Sequence, residues 1–280
     1  MKHNLLYIVI FSFLLSCEDV IEVETPTEAS RLSVDALIRI DEKNIFSQAK
    51  IKVSETSSFF DENIPAEVKE IKITNKDLQN TASNPNFIIL TQSEPGVYDI
   101  FKDTSFFTEG RLELSIKHNN QTYIANTSYV PSVPITKLEQ GDGTLFEGNE
   151  TEIVITFVDE ANRQDYYLFD FDFNKYLVSE DEFYPGQTFK FSYFYDDEAK
   201  SGMQVNVSIL GVDQDFYNYI DLLIIQSGGT QGPFQTPIAT VKGNIINITN
   251  TGLDSTENTN NFALGYFAIC QTYSATITLE

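Results

Sequence analysis

The chain has 280 residues, which is long enough for one large β domain or two of ordinary size, each with its own core. It holds 22 Phe and 14 Tyr but no Trp, and this aromatic content suits half-buried strands better than helices. Its 18 basic and 41 acidic residues give a formal net charge of -23, which repels phosphate backbones and argues against a nucleic-acid partner. Solubility explains this acidity more simply than a specific cationic partner does.

Residues 1–16 have the features of a signal peptide. Lys2 and His3 give a short basic start, and the apolar run that follows is too short to span a bilayer as a permanent helix. The sequence Leu14-Leu15-Ser16-Cys17 resembles the lipobox of bacterial lipoproteins. This resemblance implies cleavage before Cys17 and lipidation of Cys17, which makes membrane lipid the first predicted partner. A signal peptide with an incidental cysteine, or a strand of the domain, is the competing interpretation.

Residues 17–30 are predicted to form the anchor and a tether, and residues 31–130 an N-terminal β-sandwich domain. Residues 31–40 are the first strong strand, because apolar side chains occupy every second position from Leu32 to Ile40. Short runs separated by Asn, Pro, Gly and Asp indicate a sandwich of antiparallel strands. Further strands are predicted at 49–55, 68–74, 87–91, 96–101, 111–118 and 123–129.

Residues 131–150 are predicted to form a Pro/Gly-rich linker. Pro131 and Pro134 give a stiff, extended connector that cannot join a central ladder of strands. Residues 139–149 are polar and rich in Gly, which is typical of a loop.

Residues 151–280 are predicted to form a C-terminal β domain. Its clearest strand is 166–178, where aromatic residues alternate with Asp170 and Asp172. The other strands are predicted at 151–158, 188–195, 204–210, 238–241, 262–269 and 274–279.

One segment, residues 213–227, follows a helical period instead. Phe216, Ile220 and Leu223 lie on one stripe, Asp213 or Asp215 can cap the start, and Gly228-Gly229 ends the helix. The predicted fold class is therefore all-β: two β-sandwich-like (immunoglobulin-like) domains with one amphipathic helix in the second half.

The inventory of reactive side chains argues against catalysis. The mature chain would hold a single histidine, His118, which we expect to be solvated in a hairpin turn, so histidine triads and multi-histidine zinc sites are nearly excluded. The sequence contains no nucleophile elbow, phosphate-binding loop or dinucleotide-binding motif. Cys270 lies in an apolar run and is expected to be a buried, inert thiol. We predict that the protein is not an enzyme and uses no cofactor or metal.

Carboxylates are the only plentiful reactive groups. Asp170 and Asp172 could act as the acid and base of a glycosidase, but alternating acids more often mark the solvent face of a strand. Residues 159–160 and 196–198 could offer oxygen ligands to calcium, but they lack the spacing of a dedicated loop and are interpreted as solvated turns.

Aromatic residues at 183–184 and 191–195 are candidates for holding a sugar or a peptide, if their rings are exposed. The competing interpretation is that they belong to the core, because most aromatic residues that recur at every second position do so.

Three parts of the chain carry a resemblance to a known family. They are the anchor and first strand (16–23 and 31–38), the helix and the loop after it (216–220, 226–229 and 233–234), and the closing strands (243–245 and 265–267). In this order they resemble a family of Bacteroidota lipoproteins known as domain of unknown function 4249. Compared with relatives, this chain lacks tryptophan and has a long polar stretch at 249–261.

The resemblance implies a location in the cell envelope, an outer-membrane energy-coupled receptor as a partner, and no catalytic residue. Glu18 and Asp19, directly after Cys17, are similar to acidic tags that carry some Bacteroidota lipoproteins to the outer face.

We therefore predict an outer-membrane lipoprotein, facing the periplasm or the cell surface, that acts as a binding or accessory component of a receptor or uptake system. An exposed aromatic patch, or a groove near residues 228–237, would favour this hypothesis. A structural or adhesive surface module, favoured by a smooth polar surface, is the first alternative. A carboxylate-dependent hydrolase is the second, and it requires two carboxylates about 5 to 9 Å apart in a cleft.

Overall fold

The computed structural model describes residues 29–57, 63–145, 148–182, 184–196, 198–229, 240–249 and 262–280. Within these ranges the chain consists mainly of strands, so the all-β prediction is confirmed. Alternation of apolar and polar side chains explains the first strand, β1 (Leu32–Ile40), in which every second residue from Leu32 is buried.

The strands and helices are as follows. The first half contains β1 (Leu32–Ile40), β2 (Phe46–Glu55), β3 (Ile64–Pro65), β4 (Glu70–Asn75), β5 (Phe87–Ile89), β6 (Thr91–Glu94), β7 (Val97–Asp103), the short helix α1 (Thr104–Thr108), β8 (Arg111–His118) and β9 (Gln121–Val130). The second half contains β10 (Ile135–Gln140), β11 (Thr151–Val158), β12 (Tyr166–Asp170), β13 (Tyr176–Glu180), β14 (Thr188–Tyr195), β15 (Gln204–Val212), helix α2 (Gln214–Ile224), β16 (Ile246–Asn247) and β17 (Leu264–Thr278). Helix α2 continues into a π-helical turn at Ile225–Gly229.

Two sheets enclose the first core in a sandwich-like arrangement. One sheet has the order β17-β1-β2-β7-β6, and the other has the order β5-β4-β8-β9, with β16 paired to β9. A short pairing of β17 with β9 joins the two sheets along one edge. Their buried side chains form one apolar cluster, which includes Ile38, Ile73, Leu114 and Phe267. Each sheet thus buries one apolar face against the other.

The second core lies between a three-stranded sheet, β10-β11-β14, and the strands β12, β15 and β17. Aromatic rings fill it: the Phe157 ring lies 5.4 Å from Tyr167 and 5.7 Å from Phe169, measured between ring centroids. β10 lies inside the stretch predicted as a linker, and Pro131 and Pro134 fall between β9 and β10, where no ladder needs their missing N–H groups.

Strand β17 belongs to both halves. From Leu264 to Gln271 it pairs in parallel with β1, and from Thr272 to Thr278 it pairs antiparallel with β15. The two strands predicted at 262–269 and 274–279 are therefore one long strand. The strands of the first half pair antiparallel with one another, as predicted, whereas β17 from the second half is parallel to both β1 and β9.

Helix α2 forms a third layer over the outer faces of the sheets. Phe216 is 3% exposed and joins a third apolar cluster with Leu168 and Leu210 of the second half and Tyr266 and Cys270 of β17. The helix was predicted at 213–227, which agrees with α2 and its π-helical extension.

The strand predicted at 166–178 is instead a hairpin. β12 ends at Asp170, and Asp172, Phe173 and Asn174 have positive φ angles of 63°, 51° and 58° that turn the chain back into β13. The Asp172 N–H donates to the Asp170 carboxylate over 3.1 Å and holds the turn. The aromatic alternation continues into the turn, and this is why the sequence pattern overstated the length of the strand.

Candidate functional site

A surface groove runs between helix α2 and the outer face of the sheet that contains β1. Its volume is about 900 Å³. Gln226 and Ser227 line it where α2 ends, and Thr240 and Val241 line it where the described chain resumes. These residues flank the 228–237 segment named in the prediction, of which 230–237 lie outside the described residues.

One wall of the groove is the apolar stripe of α2. Asp213 caps the helix by accepting a hydrogen bond of 2.7 Å from the Phe216 N–H. Phe216 then packs edge-on against Tyr266, with 4.8 Å between the ring centroids. Because Phe216 fixes the helix at its start, Ile220 and Leu223 line the groove further along.

The floor of the groove is formed by β1 and β2. The β1 side chains that point away from the core are Ser33, Asp35, Leu37 and Arg39, and all four line the groove. From β2, Lys50 and Lys52 alternate with buried residues and point to the same outer face. Both lysines are exposed.

The charge of this lining is opposite to that of the whole chain. The described residues that line the groove include three basic side chains, Arg39, Lys50 and Lys52, and one acidic side chain, Asp35. The whole chain has 18 basic and 41 acidic residues. Because Arg39 is paired with Asp170, the basic groups of the lining that have no close ion pair are Lys50 and Lys52.

An ion pair closes one end of the groove. Arg39 of β1 donates to the Asp170 carboxylate over 2.6 Å, which joins the first half of the chain to the turn after β12. Tyr176, the first residue of β13, lines the same end. Burial raises the pKa of the Tyr176 hydroxyl, and the nearby Asp170 charge raises it further.

The other end is defined by close backbone packing. Gly265 has φ +100°, and a Cβ atom at this position would lie 1.8 Å from the Val34 carbonyl oxygen. Beside it, the Asn244 side chain donates to the Phe267 carbonyl and accepts from the Phe267 N–H, each over 2.9 Å. Asn244 thus supplies hydrogen bonds to β17 as a neighbouring strand would.

The tyrosines of the groove remain neutral hydrogen-bonding groups at physiological pH. Burial raises the pKa of Tyr219 to about 12, and the Asp35 charge adds to this effect. Burial also raises the pKa of Tyr266. Neither hydroxyl is therefore activated as a nucleophile.

Cys270 lies in the apolar layer beneath α2 and is fully buried, as its apolar neighbours in the sequence predict. Burial raises the pKa of its thiol, which keeps the sulfur protonated and unreactive.

The prediction that His118 is solvated is wrong. His118 is 8% exposed, and its Nε2 and Nδ1 lie 2.7 Å from a Glu55 carboxylate oxygen and 3.1 Å from the Glu67 carbonyl oxygen. The predicted hairpin is present, because Asn119 and Asn120 turn the chain with positive φ angles. The ring folds inward because the turn places it over a carbonyl and a carboxylate that it can bind.

Asp170 and Asp172 do not form a free pair in a cleft. Asp170 binds Arg39, and the Asp172 carboxylate accepts from the Asn206 N–H over 2.8 Å. The prediction that alternating acids mark the solvent face of one strand is also wrong, because Asp172 lies in the turn after β12.

The other candidate calcium residues are not a matched set of ligands. Asp159 is buried and binds the Tyr167 hydroxyl over 2.6 Å, so it is not the solvated turn residue that was expected. Among the described residues, no group of three His, Cys, Asp or Glu side chains could hold a metal ion. Asp197 lies outside the described residues.

The aromatic candidates form part of the second core. Tyr184 is 7% exposed and Tyr195 is 0% exposed, and the Tyr193 ring stacks on Phe171 at 3.8 Å between centroids. They are therefore structural, in agreement with the core interpretation. Phe183 lies outside the described residues.

The signal peptide at 1–16 and the lipidation site Cys17 also lie outside the described residues. In the part of the chain that the structure does describe, no helix has the length and apolar character that crossing a membrane requires.

The fold and the groove define an all-β, sandwich-like protein with one helix laid over its outer face. A family model described as Domain of unknown function (DUF4249) matches residues 18–276. The chain belongs to this family. No curated protein matches the chain.

Proposed function

We propose that the protein is a lipid-anchored component of the outer membrane, held by an acylated Cys17 and facing the periplasm or the cell surface. In this proposal it binds a ligand in the groove beside α2, or docks on an energy-coupled receptor, and thereby assists uptake. It carries out no chemistry of its own.

The groove is the observation that carries the binding role. Its volume of about 900 Å³ and its mostly apolar lining, with a few charged and hydroxyl groups, are typical of a small-molecule site. Three described parts of the sequence that carry the family resemblance also line it, namely β1, the start of α2 and Gly265.

The alternatives have less support. A structural or adhesive module is expected to present a smooth polar surface, whereas this surface has a groove of about 900 Å³ with an apolar wall. A carboxylate-dependent hydrolase requires a free pair of carboxylates, whereas Asp170 and Asp172 are each bound to other groups of the fold.

Cell fractionation of a Cys17→Ser variant tests the anchor. Lipidation requires the Cys17 sulfur, so the wild-type protein is expected in the outer-membrane fraction and the variant in the soluble fraction. Cys270→Ser is the matched control and is expected to remain in the membrane. A Cys17→Ser variant that is fully membrane-bound would contradict the anchor.

Capture of the native protein from solubilised outer membranes tests the accessory role. Recovery of an energy-coupled receptor is expected. If neither a receptor nor a ligand is recovered with the protein, the accessory role is wrong, even where the anchor is confirmed.

A further inference from the structure

We propose that the groove beside α2 binds an amphiphile with one anionic head group, whose apolar chain lies against α2 and whose head group contacts Lys50 and Lys52. The inference rests on the proposed function only in treating the groove as a ligand site. Its ligand class follows from the lining itself.

The sign of the head group follows from the charges on the floor. Lys50 and Lys52 are two positions apart on one strand face, so their side chains start about 7 Å apart and can reach the same anion. Lys50 has only a loose partner, because Glu94 lies 3.7 Å away and both side chains are more than half exposed. Lys52 makes no ion pair within 4 Å among the described residues, and Asp35, its cross-strand neighbour on β1, is the one acidic side chain of the lining. One carboxylate or phosphate would relieve the repulsion between these two cations.

The apolar part of the ligand follows from the opposite wall. Leu37 of β1, Ile220, Leu223 and Ile224 of α2, and Leu264 of β17 line the same groove as the lysines. Leu223 remains 37% exposed, although it lies on the apolar stripe of the helix. A hydrocarbon chain placed here would remove this apolar surface from water.

An extended peptide fits the groove less well. β1 forms the floor and is already paired on both sides, with β17 and with β2, so no strand edge is open to another backbone. The backbone N–H and C=O groups of a bound peptide would lose water without gaining partners, which is costly. An alkyl chain has no such groups to satisfy.

Calorimetric titration of the full chain carrying Cys17→Ser, in buffer without detergent, tests the proposal with three probes of equal chain length. These are decanoate and decyltrimethylammonium, each used below its micelle concentration, and decanol, used below its solubility limit. Decanoate is expected to bind with a stoichiometry near one and more weakly as salt is added. Decanol is expected to bind more weakly than decanoate, and the cationic probe more weakly still.

The variant Lys50→Gln/Lys52→Gln is expected to weaken decanoate binding about tenfold and to leave decanol binding unchanged. The variant Lys43→Gln/Lys69→Gln is the matched control, because it removes the same charge from exposed lysines outside the groove. Leu223→Gln is expected to weaken the binding of all three probes to the same extent. Circular dichroism of each variant confirms the fold.

Vesicles of phosphatidylglycerol and of phosphatidylcholine distinguish the source of the head group. Binding to anionic vesicles that the lysine variant abolishes indicates a membrane lipid, whereas binding of monomeric decanoate alone indicates a free amphiphile. Either result supports the proposal. Absence of decanoate binding, or equal binding of all three probes in the wild type and the lysine variant, overturns it. The fractionation of Cys17→Ser does not depend on these lysines, so the anchor can hold where this proposal fails.

Discussion

At the scale of single residues, Gly265 sets how closely β17 can approach β1. Its backbone has φ +100°, and a Cβ atom there would lie 1.8 Å from the Val34 carbonyl oxygen. Two requirements therefore coincide at one position: a left-handed backbone and the absence of a side chain. Gly202 has only the first, since its φ is +82° and a Cβ atom would meet nothing within 4 Å.

The variant Gly265→Ala is expected to lower the free energy of unfolding by more than about 2 kcal/mol, because the new methyl group collides with backbone that cannot move without breaking the β1–β17 ladder. Gly202→Ala is the control for backbone strain alone and is expected to lower the free energy of unfolding by about 1 kcal/mol. Urea unfolding of both variants measures the difference. If both variants lose the same free energy of unfolding, the close approach of β17 to β1 does not contribute to stability.

Residue roles were the least predictable feature of the sequence. The sequence predicts a solvated turn at His118 and the solvent face of a strand at Asp172, whereas both residues lie at turns. Their partners, Glu55 for His118 and the Asn206 N–H for Asp172, are distant in the sequence. Local pattern carries no information on such partners, so the exposure of these side chains could not be predicted.

At the scale of elements, the N-terminus of helix α2 is capped by a carboxylate, Asp213, that is largely removed from water. The Asp213 side chain accepts from the Phe216 N–H, while burial raises the pKa of its carboxyl above the ordinary value of 3.8. The cap stabilises the helix through its oxygen, and the charge on that oxygen opposes folding.

The variants Asp213→Ala and Asp213→Asn separate these two effects. The alanine variant loses the acceptor and is expected to be about 1 kcal/mol less stable than the wild type at neutral pH. The asparagine variant keeps an acceptor without the charge and is expected to be at least as stable as the wild type. Urea unfolding at neutral pH is the measurement. Equal destabilisation of both variants would contradict the assignment.

The pH dependence of these variants has a definite sign. A carboxyl with a raised pKa in the folded state penalises folding when it is ionised in both states, and the penalty disappears once it is protonated in both states. The advantage of Asp213→Asn over the wild type is therefore largest near neutral pH and shrinks as the pH falls toward 3.8. An advantage that grew on acidification would show that the pKa is lowered instead.

Strands and helices were predictable where the spacing of apolar residues and a capping or terminating residue indicated the same bounds. The alternation in β1, the helical stripe of α2 and its cap follow from the sequence directly. The hairpin after Asp170 was missed, because aromatic residues keep their alternation through the turn. The groove lies between a helix and a sheet from different halves of the chain, and its existence depends on packing that no single segment specifies.

At the scale of the whole molecule, β17 ties the two cores together. Phe267 fills the first core, while Ile277 packs against the second, and both belong to one strand. The parallel pairing with β1 could not be predicted, because alternation within a strand does not reveal its partner.

The variant Phe267→Ala is expected to lower the free energy of unfolding by about 3 to 5 kcal/mol, because it leaves a cavity in the first core. Because β17 is shared, we expect one calorimetric transition at a lower temperature, with both cores unfolding together. Ile246→Ala, at a site 45% exposed, is the control and is expected to change stability by less than about 0.5 kcal/mol. Two separate transitions would show that the cores unfold independently.

The pairing of Ser33 with Leu264 also has a consequence for the order of assembly. During synthesis β1 emerges early, yet its parallel neighbour arrives only after most of the chain, so the first core lacks one of its central strands until then. Contacts between such distant segments close slowly, since a long loop must be ordered before they form. We therefore expect the first core to be completed late, only after the segment that forms β17 is available.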